Sequence, residues 1–139
     1  MSETQSPEQT VAPSVRYGFM KFVVGDLAKM VDFYGRAFGL VVAQTIDTDT
    51  MTEKILRRAG EQTGFSLILY YHKDGRSVQV GTGYGPLGLF VRDVDAAYAH
   101  AVAQGAAADR PPMETNGMRV AFVLDPEGRE LELISMVRT

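Results

Sequence analysis

Apolar and polar residues along the chain predict a strand, a helix and three more strands, and this order occurs twice. In the first half, residues 17–24 form an aromatic and β-branched run that is typical of a strand. Gly25 and Asp26 interrupt this run, and residues 27–38 then place apolar side chains at helical spacing. Asp26 can cap the helix by accepting hydrogen bonds from its free amides, and Gly39 suits the left-handed residue that ends it.

The second half repeats the same design. Residues 87–91 are strand-like and residues 94–104 are helical, with Asp93 as the expected cap and Gly105 as the expected end. Asp93 follows Asp26 by 67 positions, and the strands before the two helices are separated by the same interval. We interpret the chain as two copies of one unit.

Three strand candidates follow each helix. They cover about 40–46, 50–57 and 65–72 in the first half and about 107–110, 118–124 and 129–136 in the second. The segment 50–57 also fits a short helix, because its apolar residues do not alternate strictly. Residues 125–128 read Asp-Pro-Glu-Gly and predict a tight turn that joins the last two strands as a hairpin.

This order predicts an α+β fold of two βαβββ modules, at about 17–80 and 85–137, that form a cupped mixed sheet. One face of each sheet is covered by its own helix, so the other face must be buried or line a cavity. We therefore expect a pocket between the halves. Residues 1–14 are polar and without periodicity, which predicts a disordered arm before a single domain at 15–139.

Composition narrows the function classes. The 139 residues are 45% hydrophobic and 22% charged, which is typical of one globular domain. The absence of cysteine excludes disulfides and thiolate metal sites. A net charge of −3 gives no general attraction to phosphate backbones, so nucleic acid is not expected as a partner. No targeting segment or membrane-length apolar run is present, so we predict a cytoplasmic protein without membrane contact.

Three segments resemble the glyoxalase or vicinal oxygen chelate superfamily. They are residues 23–40 with the pattern VVGD…DFY…GL, residues 81–106 with GTGYGPLG, and residues 119–134 with the ending DPEGRELELI. The superfamily includes glyoxalase I, extradiol dioxygenases, methylmalonyl-CoA epimerase and bleomycin-resistance binding proteins. The resemblance covers about Tyr17 to Met136 and implies the fold of two βαβββ modules. It also implies a homodimer, because relatives commonly pair modules between chains.

In metal-using members, the resemblance implies four ligands, usually His, Gln or Glu, at equivalent points of the first and last strands of each module. These positions fall on Phe19, Ile68, Pro86 and Glu132. Only Glu132 has a side chain that can bind a metal ion, and a catalytic divalent ion needs at least three protein ligands. We therefore expect neither a bound metal ion nor another cofactor.

Strand alternation then defines the candidate site, because residues two apart share a face. We predict catalytic roles for Lys21, Tyr70 and Glu132 in an otherwise apolar pocket. The predicted ligand-binding residues are Phe19, Ile68, Tyr84, Pro86 and Phe90. Such a surface suits a planar or hydrophobic small organic molecule that is oriented by one or two charges.

Each candidate also has a structural interpretation. Lys21 either pairs with Glu132, holds a substrate carboxylate or enolate, or reaches solvent from a strand end. Glu132 is either a general acid or base or a hydrogen-bond partner of Lys21 or Tyr70. Tyr70 and Tyr84 either orient a ligand or pack against the sheet.

The remaining basic and histidine side chains do not point to a particular function. The basic residues Lys54, Arg57 and Arg58 either rim the cup and attract an anionic ligand or form a solvated face. His72 is expected at the surface and His100 in solvent, so a histidine-based triad is not expected.

Three functions stay open on the sequence. The first is a metal-free member that binds a small organic molecule, either sequestering it or catalysing a simple lyase or isomerase step with Lys21, Tyr70 and Glu132. The second is a metal-dependent lactoylglutathione-lyase-like lyase, isomerase or dioxygenase. The third is a non-catalytic protein whose cup is only core.

Overall fold

A computed structural model of the chain describes residues 11–62 and 64–136, and it has the predicted α+β fold. The first module contains β1 (Phe19–Val23), α1 (Leu27–Phe38), β2 (Leu40–Asp47), β3 (Met51–Arg58) and β4 (Ser66–His72). The second contains β5 (Leu87–Phe90), α2 (Val94–Ala103), β6 (Ala107–Thr115), β7 (Met118–Leu124) and β8 (Glu130–Met136). The predicted arm at 1–14 lies mostly outside the described residues.

The two sheets have the same topology, which confirms the internal repeat. Their strand orders are β1-β4-β3-β2 and β5-β8-β7-β6. In each sheet the strand before the helix pairs parallel with the last strand of its module, and the other pairs are antiparallel. The ambiguous segment at 50–57 is β3, and pairing on both sides with β2 and β4 decides this.

An aspartate side chain caps the N-terminus of each helix, and a glycine ends α1. The Asp26 side chain accepts from the Lys29 amide at 3.1 Å, and Gly39 ends α1 at a φ of 71°. In the second module the Asp93 side chain accepts from the Ala96 amide at 3.0 Å. The caps predicted at Asp26, Gly39 and Asp93 are therefore confirmed, whereas α2 is capped by Gln104, one residue before the expected Gly105.

One strand is longer than the sequence predicts. β6 was expected to end near residue 110, but it continues to Thr115 through Pro111 and Pro112. β6 is an edge strand that pairs only with β7, and its register shifts at the irregular part. An edge strand tolerates proline because the missing amide removes no bond from a second neighbour.

The two modules share a hydrophobic core. Phe22 and Leu69 of the first sheet and Val123 and Leu131 of the second are buried in one cluster together with Tyr34 of α1. These side chains lie on the sheet faces that carry the helices, so the modules pack through those faces. The opposite face of each sheet is left open, and the candidate residues of β1, β4, β5 and β8 lie there, whereas Tyr84 and Pro86 precede β5.

Polar contacts across the modules join the start of α1 to the turn between β7 and β8. The buried Tyr34 hydroxyl donates to Asp125 Oδ2 at 2.7 Å. The Glu127 carboxylate accepts from the amides of Gly25 and Asp26 at 3.0 and 2.8 Å. These acceptors satisfy backbone donors at the helix N-terminus, where negative charge is favourable.

Arg129 completes this set of contacts. Its guanidinium pairs with Asp125 at 3.2 Å and Glu127 at 3.0 Å, and it donates to the carbonyl of Val23. Burial, reinforced by the charge of Asp125, raises the pKa of Tyr34 far above its usual value. We call Tyr34, Asp125, Glu127 and Arg129 the inter-module clasp.

Candidate functional site

A cavity of about 600 Å³ opens on the free face of the first sheet. Its apolar part includes Phe19, Ile46, Ile55 and Ile68. Its polar and charged part includes Arg16, Lys21, Glu53, Arg57 and Ser66. All the residues that line it belong to the first module, so this cavity is not the expected pocket between the halves. The reason is that the modules pack through their helix-bearing faces.

Strand alternation and register place these side chains together. Lys21 on β1 lies opposite Ile68 on β4, and Ile68 lies opposite Ile55 on β3. Glu53 is two residues before Ile55, and Arg57 is two residues after it, so all three point to the same face. The cavity floor is therefore apolar in the middle, with charged groups on either side.

Lys21 and Glu53 form an ion pair in the cavity. Lys21 Nζ lies 2.5 Å from Glu53 Oε2, and the side chains are 40% and 7% exposed. A carboxylate this deeply buried needs a charged partner, and Lys21 supplies it. The ammonium also lies 5.8 Å from the centre of the Phe19 ring and 5.3 Å from that of Tyr70.

Sequence reasoning missed Glu53. The signal was present, because alternation within β3 places Glu53, Ile55 and Arg57 on one face. It could not be used to place Glu53 on a strand face, because residues 50–57 fitted both a helix and a strand. The pairing with Lys21 also depends on sheet order, since β4 lies between the two strands.

Of the three basic residues considered in β3, Arg57 is the one that lines the cavity. It is half-buried, and its Nε donates to Ser66 Oγ at 2.8 Å. Lys54 binds the Thr45 hydroxyl at 3.1 Å, and the Arg58 side chain is largely exposed to solvent. Of these three residues, Arg57 is therefore the one placed to attract an anionic ligand to the cavity.

Glu132 lies elsewhere. It is half-buried on β8 of the second sheet, opposite Gly88 and Phe122, and Phe90 on the same face is 87% exposed. Within the described residues the Glu132 side chain makes no hydrogen bond or ion pair, so the considered pairing with Lys21 is not formed within the chain. The reason is that the two residues belong to different sheets.

Tyr84 and Pro86 line a second cavity, of about 420 Å³, between the start of β1 and the start of β5. Phe19 and the exposed Phe65 also contact it. The predicted residues therefore lie in three places. The large cavity is lined by Phe19, Lys21 and Ile68, and Tyr70 lies beside Lys21. The smaller cavity is lined by Tyr84 and Pro86, and the second sheet carries Glu132 and Phe90. Their functional roles stay predictions.

Comparison with known families agrees with this architecture. Residues 16–133 match the model of the Glyoxalase/Bleomycin resistance protein/Dioxygenase superfamily. The chain belongs to this superfamily. Two of the three segments that carried the resemblance, with DFY on α1 and DPEGR after β7, supply the residues of the inter-module clasp.

Individual relatives in the superfamily are 27–30% identical to this chain over the aligned residues. A lactoylglutathione lyase of Arabidopsis thaliana is 30% identical over 123 residues, which are 86% of this chain and 44% of the relative. A probable lactoylglutathione lyase of Vibrio cholerae is 30% identical over 115 residues, which are 80% of this chain and 83% of the relative. Glyoxalase I of Zea mays superimposes with a TM-score of 0.79 at 27% identity, over 89% of this chain and 46% of that chain. The chain spans less than half the length of the plant relatives it matches.

The superfamily's metal-using members need several donor groups, and the large cavity does not supply them. Phe19 and Ile68 have no donor atoms, and neither does Pro86. Within residues 11–62 and 64–136, no group of three or more His, Cys, Asp or Glu side chains is placed to hold a metal ion. The carboxylate of Glu53 is already paired with an ammonium, which repels a divalent cation. The donor set of this cavity does not fit a divalent metal ion.

Neither helix in the described part of the chain combines the length and apolar character needed to cross a bilayer.

Proposed function

We propose that this superfamily member binds a small organic molecule in the large cavity of its first module, without a divalent metal ion. The observation that carries the proposal is the Lys21–Glu53 ion pair, which places a fixed ammonium in an apolar cavity. The volume of about 600 Å³ lies within the range of small-molecule sites. Apolar walls with a few directed polar groups are typical of such sites.

Two uses of this site are consistent with its chemistry. The protein either sequesters the bound molecule or catalyses a metal-independent lyase or isomerase step. For the second use, the Lys21 ammonium donates hydrogen bonds to a carbonyl or enolate oxygen, and Glu53 fixes the position of that ammonium. The Tyr70 ring flanks Lys21, so Tyr70 is the next residue that a bound molecule would meet.

We also propose a homodimer in which the open face of the second module covers the cavity of another copy. The cavity has three cationic residues, Arg16, Lys21 and Arg57, against one carboxylate, Glu53. The open face of the second module has Glu130 and Glu132 against Arg110, and it exposes Phe90. Opposite charge and exposed apolar surface both favour this pairing, which brings Glu132 of one copy towards Lys21 of the other.

Amide chemical-shift mapping tests the binding site. Chelator-treated protein is titrated with a set of small organic fragments, and the amides of β1, β3 and β4 are expected to shift most. Amides of β7 and β8 serve as the internal control. Shifts that are absent or confined to the second module would contradict the proposal.

Light scattering tests the dimer. Glu132→Lys places like charges against the cavity of the other copy, so we expect it to weaken dimerisation. Glu114→Lys is the matched control, because Glu114 is an exposed residue of the same sheet that alternates onto the opposite face. Equal masses for the two variants and the wild type would reject the proposed interface.

A metal-dependent lactoylglutathione lyase is the second candidate, and the names of the relatives at 30% identity favour it. Calorimetry with nickel, zinc, manganese and iron(II) on stripped protein separates the candidates, with Glu132→Gln as the variant. Tight one-to-one binding that the substitution abolishes, together with formation of S-lactoylglutathione, would support the lyase. Absence of both would favour the metal-free site.

The cytoplasmic location stays a prediction.

A further inference from the structure

We propose that the ligand of the large cavity is a small organic carboxylate with an apolar body, bound by Arg57 together with Lys21. This inference rests on the proposed function and names the class of molecule that the site takes. Four features of the cavity carry it: local charge, free hydrogen-bond donors, the spacing of the two cations and the apolar floor.

The charge of the cavity is opposite to that of the whole chain. Arg16, Lys21 and Arg57 contribute three positive charges, and Glu53 contributes one negative charge. The chain as a whole has a net charge of −3. The cavity by itself has a net charge of +2, and the covering face of the proposed dimer, with Glu130 and Glu132 against Arg110, reduces it to +1. A local excess of cations in a concave, partly apolar site attracts anions and strengthens their binding.

The two inner cations retain hydrogen-bond donors. Arg57 uses Nε to bind Ser66, and within the described part of the chain no carboxylate pairs with its guanidinium. Its Nη groups are then available for a bidentate contact with a carboxylate. Lys21 gives one N–H to Glu53, and an ammonium has three.

The spacing lets both cations reach one anion. Lys21 lies on β1 and Arg57 lies on β3, and β4 lies between these two strands. Along the strand direction, the two residues are offset by two positions, which is one row of side chains on this face. Two strand spacings and one row give a Cα separation of roughly 12 Å. Glu53 holds the Lys21 ammonium on the side of Ile55 away from Arg57, so a carboxylate that contacts both cations lies between them, above Ile55 and Ile68.

The floor between the cations selects for an organic ligand. Ile68 and Ile55 lie next to each other in the middle of the cavity, and Phe19 lies beside them at its edge. A ligand with an apolar body removes these side chains from water, which inorganic phosphate does not. A neutral molecule of the same shape covers the floor but gives Arg57 no carboxylate to bind and gives Lys21 none beyond Glu53.

A matched pair of probes tests the inference on the full-length protein. Calorimetry compares 3-phenylpropanoate with its neutral analogue 3-phenylpropanamide, and inorganic phosphate is a third arm. We expect the carboxylate to bind about tenfold more tightly than the amide, and phosphate to bind more weakly than the carboxylate. Arg57→Gln should reduce the carboxylate preference to about twofold or less while retaining amide binding.

Arg58→Gln is the matched control, because Arg58 is the next residue in the strand but its side chain is exposed outside the cavity. It should keep the wild-type preference, and both variants should unfold at the same temperature as the wild type within a few degrees. Equal affinity for carboxylate and amide would overturn the carboxylate inference and leave the proposed small-molecule site standing. Preference for phosphate, or an equal loss in Arg58→Gln, would also overturn it, as would no binding of any probe.

Discussion

The cavity of the first module and the inter-module clasp both contain a buried carboxylate paired with a cation, yet they differ in what surrounds the pair. In the clasp, the Asp125 and Arg129 side chains are 0% and 5% exposed, and Asp125 accepts hydrogen bonds at both oxygens. In the cavity, Glu53 is as deeply buried, but Lys21 is 40% exposed and faces open space.

This difference separates a structural pair from one that is available to a ligand. Every clasp residue is bound to protein groups that join the two modules, and the buried Arg129 guanidinium contacts Asp125, Glu127 and the carbonyl of Val23. The cavity pair fixes the position of a cation while leaving part of its hydrogen-bonding capacity unused. Burial of a carboxylate alone therefore does not mark a ligand site, and the exposure of its partner is the informative quantity.

The largest expected effect is in the clasp. Asp125→Ala leaves the buried Tyr34 hydroxyl without its acceptor and breaks the buried ion pair with Arg129, and we expect a loss of about 3–5 kcal/mol in the free energy of unfolding. Urea denaturation measures this loss. Asp125→Asn should cost less, because it keeps the shape and one acceptor. A loss below about 1 kcal/mol for the alanine variant would contradict the structural role.

Tyr34→Phe should cost about 1.5–3 kcal/mol at neutral pH, because it removes a hydrogen bond to a charged group. The folded state raises the pKa of Tyr34, first through burial and then through the charge of Asp125, so the unfolded state loses the phenol proton first. This stabilisation is complete below the ordinary value of 10.0 and is lost as the pH rises above it.

Urea unfolding of the wild type and Tyr34→Phe, compared at pH 8 and pH 11, checks this dependence. The difference between the two proteins should shrink by about 1.4 kcal/mol per pH unit above pH 10. A difference that stays constant would show that Tyr34 is not held neutral in the folded state.

The cavity pair should respond less, and unequally. Lys21→Met leaves the buried Glu53 without a partner, so we expect a loss of about 1–2 kcal/mol. Glu53→Gln should cost about 1 kcal/mol or less, because the partly exposed Lys21 can be solvated by water. Thermal and urea unfolding measure both variants, and a larger loss for Glu53→Gln would reverse the comparison.

The smallest effect is expected for a solvent-exposed pair. Arg76 and Asp74 are 2.5 Å apart, the same separation as Lys21 and Glu53, but both side chains are more than half exposed. The Arg76 guanidinium lowers the pKa of Asp74, but water screening limits what this exposed pair contributes to stability. Asp74→Asn should therefore leave the urea midpoint unchanged, because water screens the pair. A clear shift of the midpoint would mean that distance, and not exposure, decides the strength of these pairs.

Much of the fold was predictable from short-range patterns. The caps at Asp26 and Asp93 and the turn at 125–128 follow from local hydrogen bonding, and the structure contains all of them. The prediction for β6 stopped early at its prolines, because the sequence does not show which strand will lie at an edge. The clasp residues lie in the two recognised motifs, but their contacts were not predicted. Tyr34 and Asp125 are 91 positions apart and meet only when the modules pack.

The sequence by itself determined the two βαβββ modules and the family, because strand and helix patterns depend on neighbours along the chain. Tertiary structure decided which charged groups meet. Lys21 pairs with Glu53 across an intervening strand, and Glu132 lies on the other sheet, because register and the packing of the helix-bearing faces fix those positions. Such contacts depend on the whole arrangement of the sheets, which no local pattern contains.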